Sequence, residues 1–286
     1  MLSLHTNAAA LSAQNSIGRT QSGLSTSMTR LSTGLRINSA MDDAAGLQIA
    51  TRLKVQTSGM AVAMRNTQNS ISLLQTGEGA LDEVTSILNR MKDLATQAAD
   101  GSSTAADKTA MQSEYDALTS ELTNITDNTK FGGTALLESA AGKFTAAVSF
   151  QIGADSAETL SANFSTSLGA VHTAITAASD GYNGGAGVAT ELVTSPGATI
   201  NLLATAIDKV SALRSEFGAV ANRLDHVYNN LSNISTNTKN ATGRIMDTDF
   251  ASESAKMTSS QMLLQAGTAM LKQSNSQSSL VLSLLQ

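Results

Sequence analysis

The sequence predicts a mainly α-helical protein, built as a long coiled-coil-like bundle in two layers with a small β-hairpin region. One Pro in 286 residues leaves room for very long helices. Aromatic residues make up only 3% of the chain, so aliphatic side chains must fill the core, which suits helices packed side by side. Apolar residues also recur at heptad spacing in several segments, as in coiled coils.

The first segment, residues 1–40, carries such a heptad pattern. Ile17, Leu24 and Leu31 form one row, and Met28 and Leu35 form the next. The spacing predicts a helix from about residue 3 to residue 33, with a coiled-coil-like seam.

A joint follows this helix within the stretch LSTGLRINSAMDDAAGLQIATRL, residues 31–53. Gly34 and the polar residues after it break the helical pattern. Ser39 with Asp42 three residues later is a helix start signal, in which the Ser hydroxyl accepts from a free backbone N–H. We interpret this joint as the connection between two layers of an assembly.

Residues 41–165 are predicted to form two helices and a β-hairpin. The first helix runs from Met41 to Ala99 and continues through Gly77 and Gly79, although each Gly costs about 1 kcal/mol in a helix interior and a break there is the alternative. Thr104 and Asp107 repeat the start signal for the second helix. The hairpin is predicted to pair residues 134–138 with residues 144–152.

Residues 166–199 form a short connection with little pattern. Leu168, Val171 and Ile175 indicate a short helix, and GYNGGAG, residues 181–187, indicates a loop. This glycine cluster follows no strand and lacks a Lys, so a flexible turn is favoured over a phosphate-binding loop.

The last two segments are a regular helix, residues 200–246, and an end, residues 247–286, which contains one charged side chain, Lys272, from Thr258 onward. Apolar residues recur every seven positions from Leu203 to Ile245, with a second row beside them, so this helix needs partners on more than one side. Asp247, Thr248 and Asp249 mark a second joint. Both chain ends are therefore helical in pattern and almost uncharged, which predicts segments that become ordered on association.

The residues give no positive case for an enzyme, a cofactor or a metal site. The three histidines lie far apart, there is no Cys, and acidic pairs such as Asp42 and Asp43 are better explained as helix starts. A net charge of −5 argues against a nucleic-acid surface. The N-terminus does not match a Sec-type signal peptide, and no apolar run approaches the roughly 20 residues that cross a bilayer.

Two long signatures at opposite ends resemble bacterial flagellin. The residue 31–53 stretch is similar to the flagellin N-terminal signature, and the match continues through MRNTQNSISLLQTGEGALDEV. RIMDTDFASESAKMTSSQMLLQAGTAMLKQSNSQSSLVLSLLQ is similar to the C-terminal region, and KFGGTALL and FQIGADSAETL resemble segments around the flagellin hairpin. The chain resembles a short flagellin with little or no outer variable domain.

The resemblance implies a fold and a function. Residues 1–40 and 247–286 would form the inner layer, called D0, and residues 41–165 and 200–246 the surrounding layer, called D1. The chain would self-polymerise into the flagellar filament for swimming or swarming. Its implied partners are further copies, the flagellar cap and hook–filament junction proteins, an export chaperone and the type III apparatus. Its implied location is the filament outside the cell.

Particular residues follow from the pattern and the resemblance. The expected subunit-interface residues are apolar positions of the two ends together with the joint: Ile17, Leu24, Met28, Leu31, Leu35, Arg36, Ile37, Asn38, Met262, Leu264, Met270, Leu271, Leu280, Leu282 and Leu285. The resemblance also implies that Arg90, Leu94 and Glu114 form a surface read by an animal Toll-like receptor, the alternative being an ordinary solvated or filament-facing helix surface.

Three other functions compete with the filament subunit. A hook–filament junction protein would share flagellin-like ends but form only a short ring. A flagellin-type protease would need an H-E-x-x-H motif and a longer middle segment, and neither is in the sequence. A membrane-active amphipathic protein would need a basic helix face, which the ends lack.

Overall fold

The computed structural model describes residues 7–184 and 190–284, with side chains of the last helix described as far as Ser276. Over these residues the chain is dominated by long helices. The helices are α1 (Ala8–Thr33), α2 (Ala44–Ala98), α3 (Ala105–Asn128), α4 (Ser165–Ala178), α5 (Glu191–Thr194), α6 (Pro196–Met246) and α7 (Phe250–Leu284). The strands are β1 (Lys130–Phe131), β2 (Thr134–Ala135), β3 (Ala147–Gln151) and β4 (Thr159–Asn163).

The chain divides into two compact units, after Thr57 and again after Ser235. The terminal unit contains α1, α7, the joints beside them, the beginning of α2 and the end of α6. The central unit, Ser58–Ser235, contains the rest. The layer boundaries predicted at residues 40 and 247 concern the assembled filament, so they stay predictions.

The central unit is a bundle around α2 and α6, which run antiparallel. Met60 of α2 clusters with Leu231 of α6, while Arg214 of α6 forms an ion pair of 2.9 Å with Asp82 of α2. The heptad row predicted on α6 is buried from Leu203 through Leu231. The structure therefore confirms that α6 packs inside a bundle.

Gly77 has a packing reason for its place inside α2. A Cβ there would lie 2.9 Å from Phe217 and 3.2 Å from Phe144, two rings of an aromatic cluster completed by Phe164. The ring centroids are 4.7 to 5.4 Å apart, within the usual range for aromatic pairs. The predicted continuity of α2 is confirmed, and Gly77 allows the rings to approach the helix backbone.

A buried polar network joins three segments of the central unit. His172 Nε2 lies 2.8 Å from the carbonyl oxygen of Leu137, and Nδ1 lies 2.8 Å from the Tyr182 hydroxyl. A carbonyl oxygen only accepts, so Nε2 carries the proton and donates to it. Burial lowers the pKa of His172 below its ordinary value, and burial raises the pKa of Tyr182 to about 12.

Two of the predicted helix starts have different outcomes. Thr104 caps α3 in a full capping box with Asp107, as predicted. The predicted start of α2 at Ser39 is wrong, because α2 begins at Ala44 and the Asp43 carboxylate accepts from the backbone N–H of Gly46 at 2.8 Å. Asp42 instead accepts from the backbone N–H groups of Asn38 and Ser39, which orders the turn before the helix.

The predicted hairpin pairing is also wrong. Residues 134–135 pair with Lys130 and Phe131 across Gly132 and Gly133, whose φ angles of 58° and 84° suit a tight two-residue turn. The longer hairpin pairs β3 with β4, from Ala147 opposite Asn163 to Gln151 opposite Thr159. Alternation within 144–152 correctly indicates a strand, but it does not identify the partner strand.

Candidate assembly interface

Helices α1 and α7 of the terminal unit pair in antiparallel orientation. At the start of α1, the Asn7 side-chain amide donates to the carbonyl oxygen of Ser274 at 3.3 Å. Near the other end of α1, the Ser27 hydroxyl donates to Glu253 at 2.6 Å. Because residue numbers rise along one helix as they fall along the other, the two helices run in opposite directions.

The inner face of this helix pair consists of heptad rows that are buried or half-buried. On α1 the rows are Ala10, Ile17, Leu24, Leu31 and Ala13, Thr20, Ser27; on α7 they are Glu253, Ser260, Gly267, Ser274 and Met257, Leu264, Leu271. Gly267 lets the helices approach closely, since a Cβ there would lie 2.9 Å from Ile17 Cγ1. Small and polar residues occupy about half of this seam, so it buries less apolar surface than a seam made of large aliphatic residues would.

Several large apolar side chains are exposed on the outer face of the pair, the side of each helix that points away from the seam. Met28 is 56% exposed, Met262 60% and Met270 67%, and Leu11 and Leu263 are also exposed. Soluble proteins bury most large apolar side chains, and a patch of exposed ones indicates a binding surface. Flexible Met side chains adapt to a partner surface more easily than branched ones.

The structure places the predicted interface residues in three groups. Ile17, Leu24, Leu31, Leu35, Leu264 and Leu271 lie on inner or half-buried positions, whereas Met28, Met262 and Met270 lie on the outer face. Leu280 and Leu282 belong to α7, but their side chains, like Leu285 as a whole, lie outside the described residues.

The two joints predicted from the sequence meet as a pair of short segments, which we call the spoke (residues 34–38 and 245–249, the second beginning with the last two residues of α6). Leu35 and Asp247 form an antiparallel β-bridge. The Arg36 N–H donates to the Met246 carbonyl oxygen at 2.6 Å, and the Thr248 N–H donates to that of Gly34 at 3.0 Å. Gly34 ends α1 in the left-handed conformation, with φ 72°, which favours glycine.

The remaining predicted spoke residues make contacts within the chain. The Arg36 guanidinium donates to the carbonyl oxygen of Ile245 at 2.8 Å, and the Asn38 amide donates to that of Leu35 at 2.8 Å. Ile37 is fully buried inside the terminal unit. Ile37 therefore offers no surface to a neighbour in this conformation, and contacts of Arg36 and Asn38 between subunits stay a prediction.

The three residues assigned to a receptor surface differ in exposure. Arg90 and Glu114 are about half exposed and form a close ion pair, with Nε and Nη2 at 2.9 and 2.6 Å from Oε1. Leu94 is only 2% exposed and belongs to the core of the central unit. Of the three residues, Arg90 and Glu114 are accessible to a partner protein in this conformation, and Leu94 is not.

The described residues contain neither a membrane-spanning helix nor a cluster of metal-binding side chains. Within residues 7–184 and 190–284, no helix has the length and apolar character required to cross a membrane. The same residues contain no group of three or more His, Cys, Asp or Glu side chains that could hold a metal ion.

Comparison with known families matches most of the chain. Residues 4–142 match the bacterial flagellin N-terminal helical region, and residues 200–285 match the bacterial flagellin C-terminal helical region. Flagellin A of Vibrio anguillarum is 35% identical over 381 aligned residues, covering 100% of both chains. The chain belongs to the bacterial flagellin family. With 286 residues it is a short flagellin, and the Halalkalibacterium halodurans flagellin, 38% identical with 98% of each chain covered, aligns over 281 residues.

Membership in the flagellin family establishes the function at the level of the assembly. Flagellins are structural proteins that self-assemble into the bacterial flagellar filament, and this chain is a subunit of that kind. A solved structure from Vibrio parahaemolyticus described as a flagellar hook-associated protein has a TM-score of 0.56, with 72% of this chain and 100% of that chain covered. At 16% identity it shows a shared fold and does not favour the hook–filament junction function.

Proposed function

We propose that the outer face of the α1–α7 pair forms the contacts between subunits in the inner layer of the filament. The observation that carries this proposal is the distribution of side chains in the pair. Polar Ser27, Glu253 and Ser260 occupy the seam, whereas Met28 and Met262 face outward. Neighbouring copies would cover the apolar outer face, and the polymer would complete a core that one chain lacks.

The same arrangement accounts for open-ended growth and for folding on assembly. A subunit contact whose rotation does not close generates a helical filament instead of a ring. Most helix stability in proteins comes from packing of an apolar face. Helices α1 and α7 should therefore gain most of their stability from neighbouring subunits.

The flagellin family also supports a route to the filament. In this proposal the chain binds an export chaperone, passes unfolded through the flagellar type III apparatus and folds at the tip beneath the cap, outside the cell. Hook–filament junction proteins would hold the first subunits. A copurification experiment from cells blocked in filament growth tests the chaperone step, and failure to recover a stoichiometric partner with the intact chain contradicts it.

A deletion of residues 274–286 tests the role of the helix pair. The full-length monomer, released by mild acid or heat, should extend filament seeds at neutral pH to micrometre lengths in electron micrographs. The shortened chain should remain a soluble monomer whose central unit melts as in the full chain, because Ser274 and everything after it lies outside that unit. Unchanged growth of the shortened chain would contradict the proposal, and growth of the full chain into short rings only would indicate a junction protein.

A second proposal concerns Arg90 and Glu114. Their ion pair is exposed and contributes little to stability, so both groups are available to a protein partner such as a Toll-like receptor. In a receptor reporter assay, Arg90→Ala should reduce signalling by monomer, while Glu121→Ala, an exposed carboxylate on the same helix as Glu114, should not. Equal signalling by both variants rejects the receptor surface.

A further inference from the structure

Glu253 is a buried carboxylate in a part of the chain with few charges. It lies on the inner face of α7 and is 6% exposed. Its Oε1 accepts from the Ser27 hydroxyl of α1 at 2.6 Å. Burying a carboxylate is costly unless it is paired and hydrogen-bonded, and a seam of apolar residues would be at least as stable. The position therefore favours a specific geometry over maximum stability.

Arg30 of α1 lies between Glu253 and a second carboxylate. Its Nη1 is 4.0 Å from Glu253 Oε1, and its Nη2 is 3.9 Å from Asp42 Oδ1. Neither distance is that of a close charge-assisted hydrogen bond, which is about 2.8 Å. The buried Arg30 Nε also has no acceptor among the described residues. A small movement of the guanidinium would strengthen one pair and weaken the other.

The second carboxylate belongs to the turn that leads from the spoke to α2. Asp42 Oδ2 accepts from the backbone N–H groups of Asn38 and Ser39 at 3.1 and 2.9 Å. These bonds fix Asp42 in the turn and lower the pKa of its carboxyl group. Arg30 consequently connects three segments of the terminal unit: α1, α7 and residues 39–43.

We propose that Ser27, Arg30, Asp42 and Glu253 form a clamp that sets the angle between the helix pair and the spoke, with Arg30 shared between the two carboxylates. A close ion pair of Arg30 with Glu253 draws the Arg30 side chain toward α7. A close ion pair with Asp42 draws the same side chain toward the turn. Since the two arrangements differ only in which carboxylate is paired, the clamp gives the subunit two discrete geometries. This inference rests on the proposed role of the helix pair in assembly.

The clamp also makes the helix pair sensitive to acid. The Ser27 hydroxyl, and then Lys256 and Arg30, hold the pKa of Glu253 below its ordinary value of 4.5. The charged groups facing it are Arg30 from α1, Lys256 from α7 and, beyond Arg30, Asp42 from the turn. A carboxyl with a lowered folded pKa stabilises the fold above the unfolded pKa, and that contribution is lost as the pH falls through the folded pKa.

Isosteric neutral variants of the full chain test this clamp. Glu253→Gln keeps an oxygen that accepts from Ser27, and Asp42→Asn keeps an oxygen that accepts from the turn, so each removes one charge with little change in shape. Each variant is grown on wild-type seeds, and the helical pitch of the new segment is measured by electron microscopy. We expect pitch changes of opposite sign for the two variants, because each leaves Arg30 to the other carboxylate. Glu121→Gln, which removes an exposed charge on α3 of the central unit, outside the clamp and the proposed contact face, should keep the wild-type pitch.

The outcomes separate the clamp from the proposal on which it rests. Failure of the wild-type chain to extend seeds contradicts the assembly role. Pitch changes of the same sign, or equal to that of Glu121→Gln, overturn the clamp alone. If a clamp variant does not grow by itself, it is mixed with wild-type chain at rising fractions, and the pitch of the mixed filaments decides the question. A pitch that shifts with the fraction of Glu253→Gln but not with that of Glu121→Gln supports the clamp, and equal pitches overturn it.

Discussion

The central unit and the α1–α7 pair share a helical spacing but differ in the residues that they bury with it. In the central unit, the heptad positions of α6 are apolar and buried, and the rings of Phe144, Phe164 and Phe217 meet beside Gly77. In the helix pair, the seam mixes large apolar residues with Ser, Thr, Gly and a buried Glu, while further large apolar side chains face outward. The central unit therefore has a core of its own, and the difference supports the proposal that other copies complete the core of the helix pair.

The largest expected effect lies in the aromatic cluster of the central unit. Phe217→Ala removes a ring that is 1% exposed and leaves a cavity, so the free energy of unfolding should fall by about 3–5 kcal/mol. Phe250→Ala, which removes a ring that is mostly exposed in the terminal unit, should change it by less than about 0.5 kcal/mol. Urea denaturation followed by circular dichroism measures both. Similar losses would mean that the two units do not differ in the way described.

Replacing either of two glycines in α2 by Ala should have a smaller effect on the free energy of unfolding, with opposite signs at the two positions. Gly77→Ala should lower the free energy of unfolding by about 1–2 kcal/mol, because its Cβ meets the rings of Phe217 and Phe144 and strain exceeds the gain in helix propensity. In Gly79→Ala the added Cβ has no atom within 4 Å, so the free energy of unfolding should rise by about 1 kcal/mol. Thermal unfolding of the two variants compares them directly, and equal shifts would rule out the packing role of Gly77.

The smallest expected effect is a pH dependence of the central unit. Burial lowers the folded pKa of His172 below 6.5, so the unfolded chain binds this proton first as the pH falls. The free energy of unfolding should therefore decrease from about pH 6.5 downward until the folded pKa is reached. The His172→Gln variant should lose this pH dependence of the free energy of unfolding, measured by urea denaturation between pH 5 and 8. Substitution of the exposed His226 by Gln should leave it unchanged. A steep slope that survives in His172→Gln refutes the role of the buried histidine.

Spacing and end signals along the chain predict the helices well. The heptad row from Leu203 to Leu231 and the capping box of Thr104 and Asp107 act between residues close in sequence, and the structure has both. The two joints were also recognisable from their polar breaks. They meet in the Leu35–Asp247 bridge.

The features that sequence reasoning missed depend on distant residues. Gly77 looks like a weak point in a helix until the rings from residues 144 and 217 are placed against it. The strand β3 is visible from alternation, but its partner β4 is chosen by packing, not by local pattern. Glu253 looks like an ordinary charge in the first turn of α7, and only the position of α1 shows that it is buried. The Asp42–Asp43 pair allows two cap assignments, and hydrogen-bond geometry selects Asp43.

The exposed methionines of α7 test the central claim most directly. The double variant Met262→Gln and Met270→Gln changes side chains that contact solvent in one chain, so monomer unfolding should stay within about 0.5 kcal/mol of wild type. Its seeded growth, followed by light scattering and electron microscopy, should fall at least tenfold or stop. Gln273→Ala, an exposed polar position on the same helix, is the control and should grow normally. Wild-type growth of the double variant would contradict the claim that this apolar face is the contact between subunits.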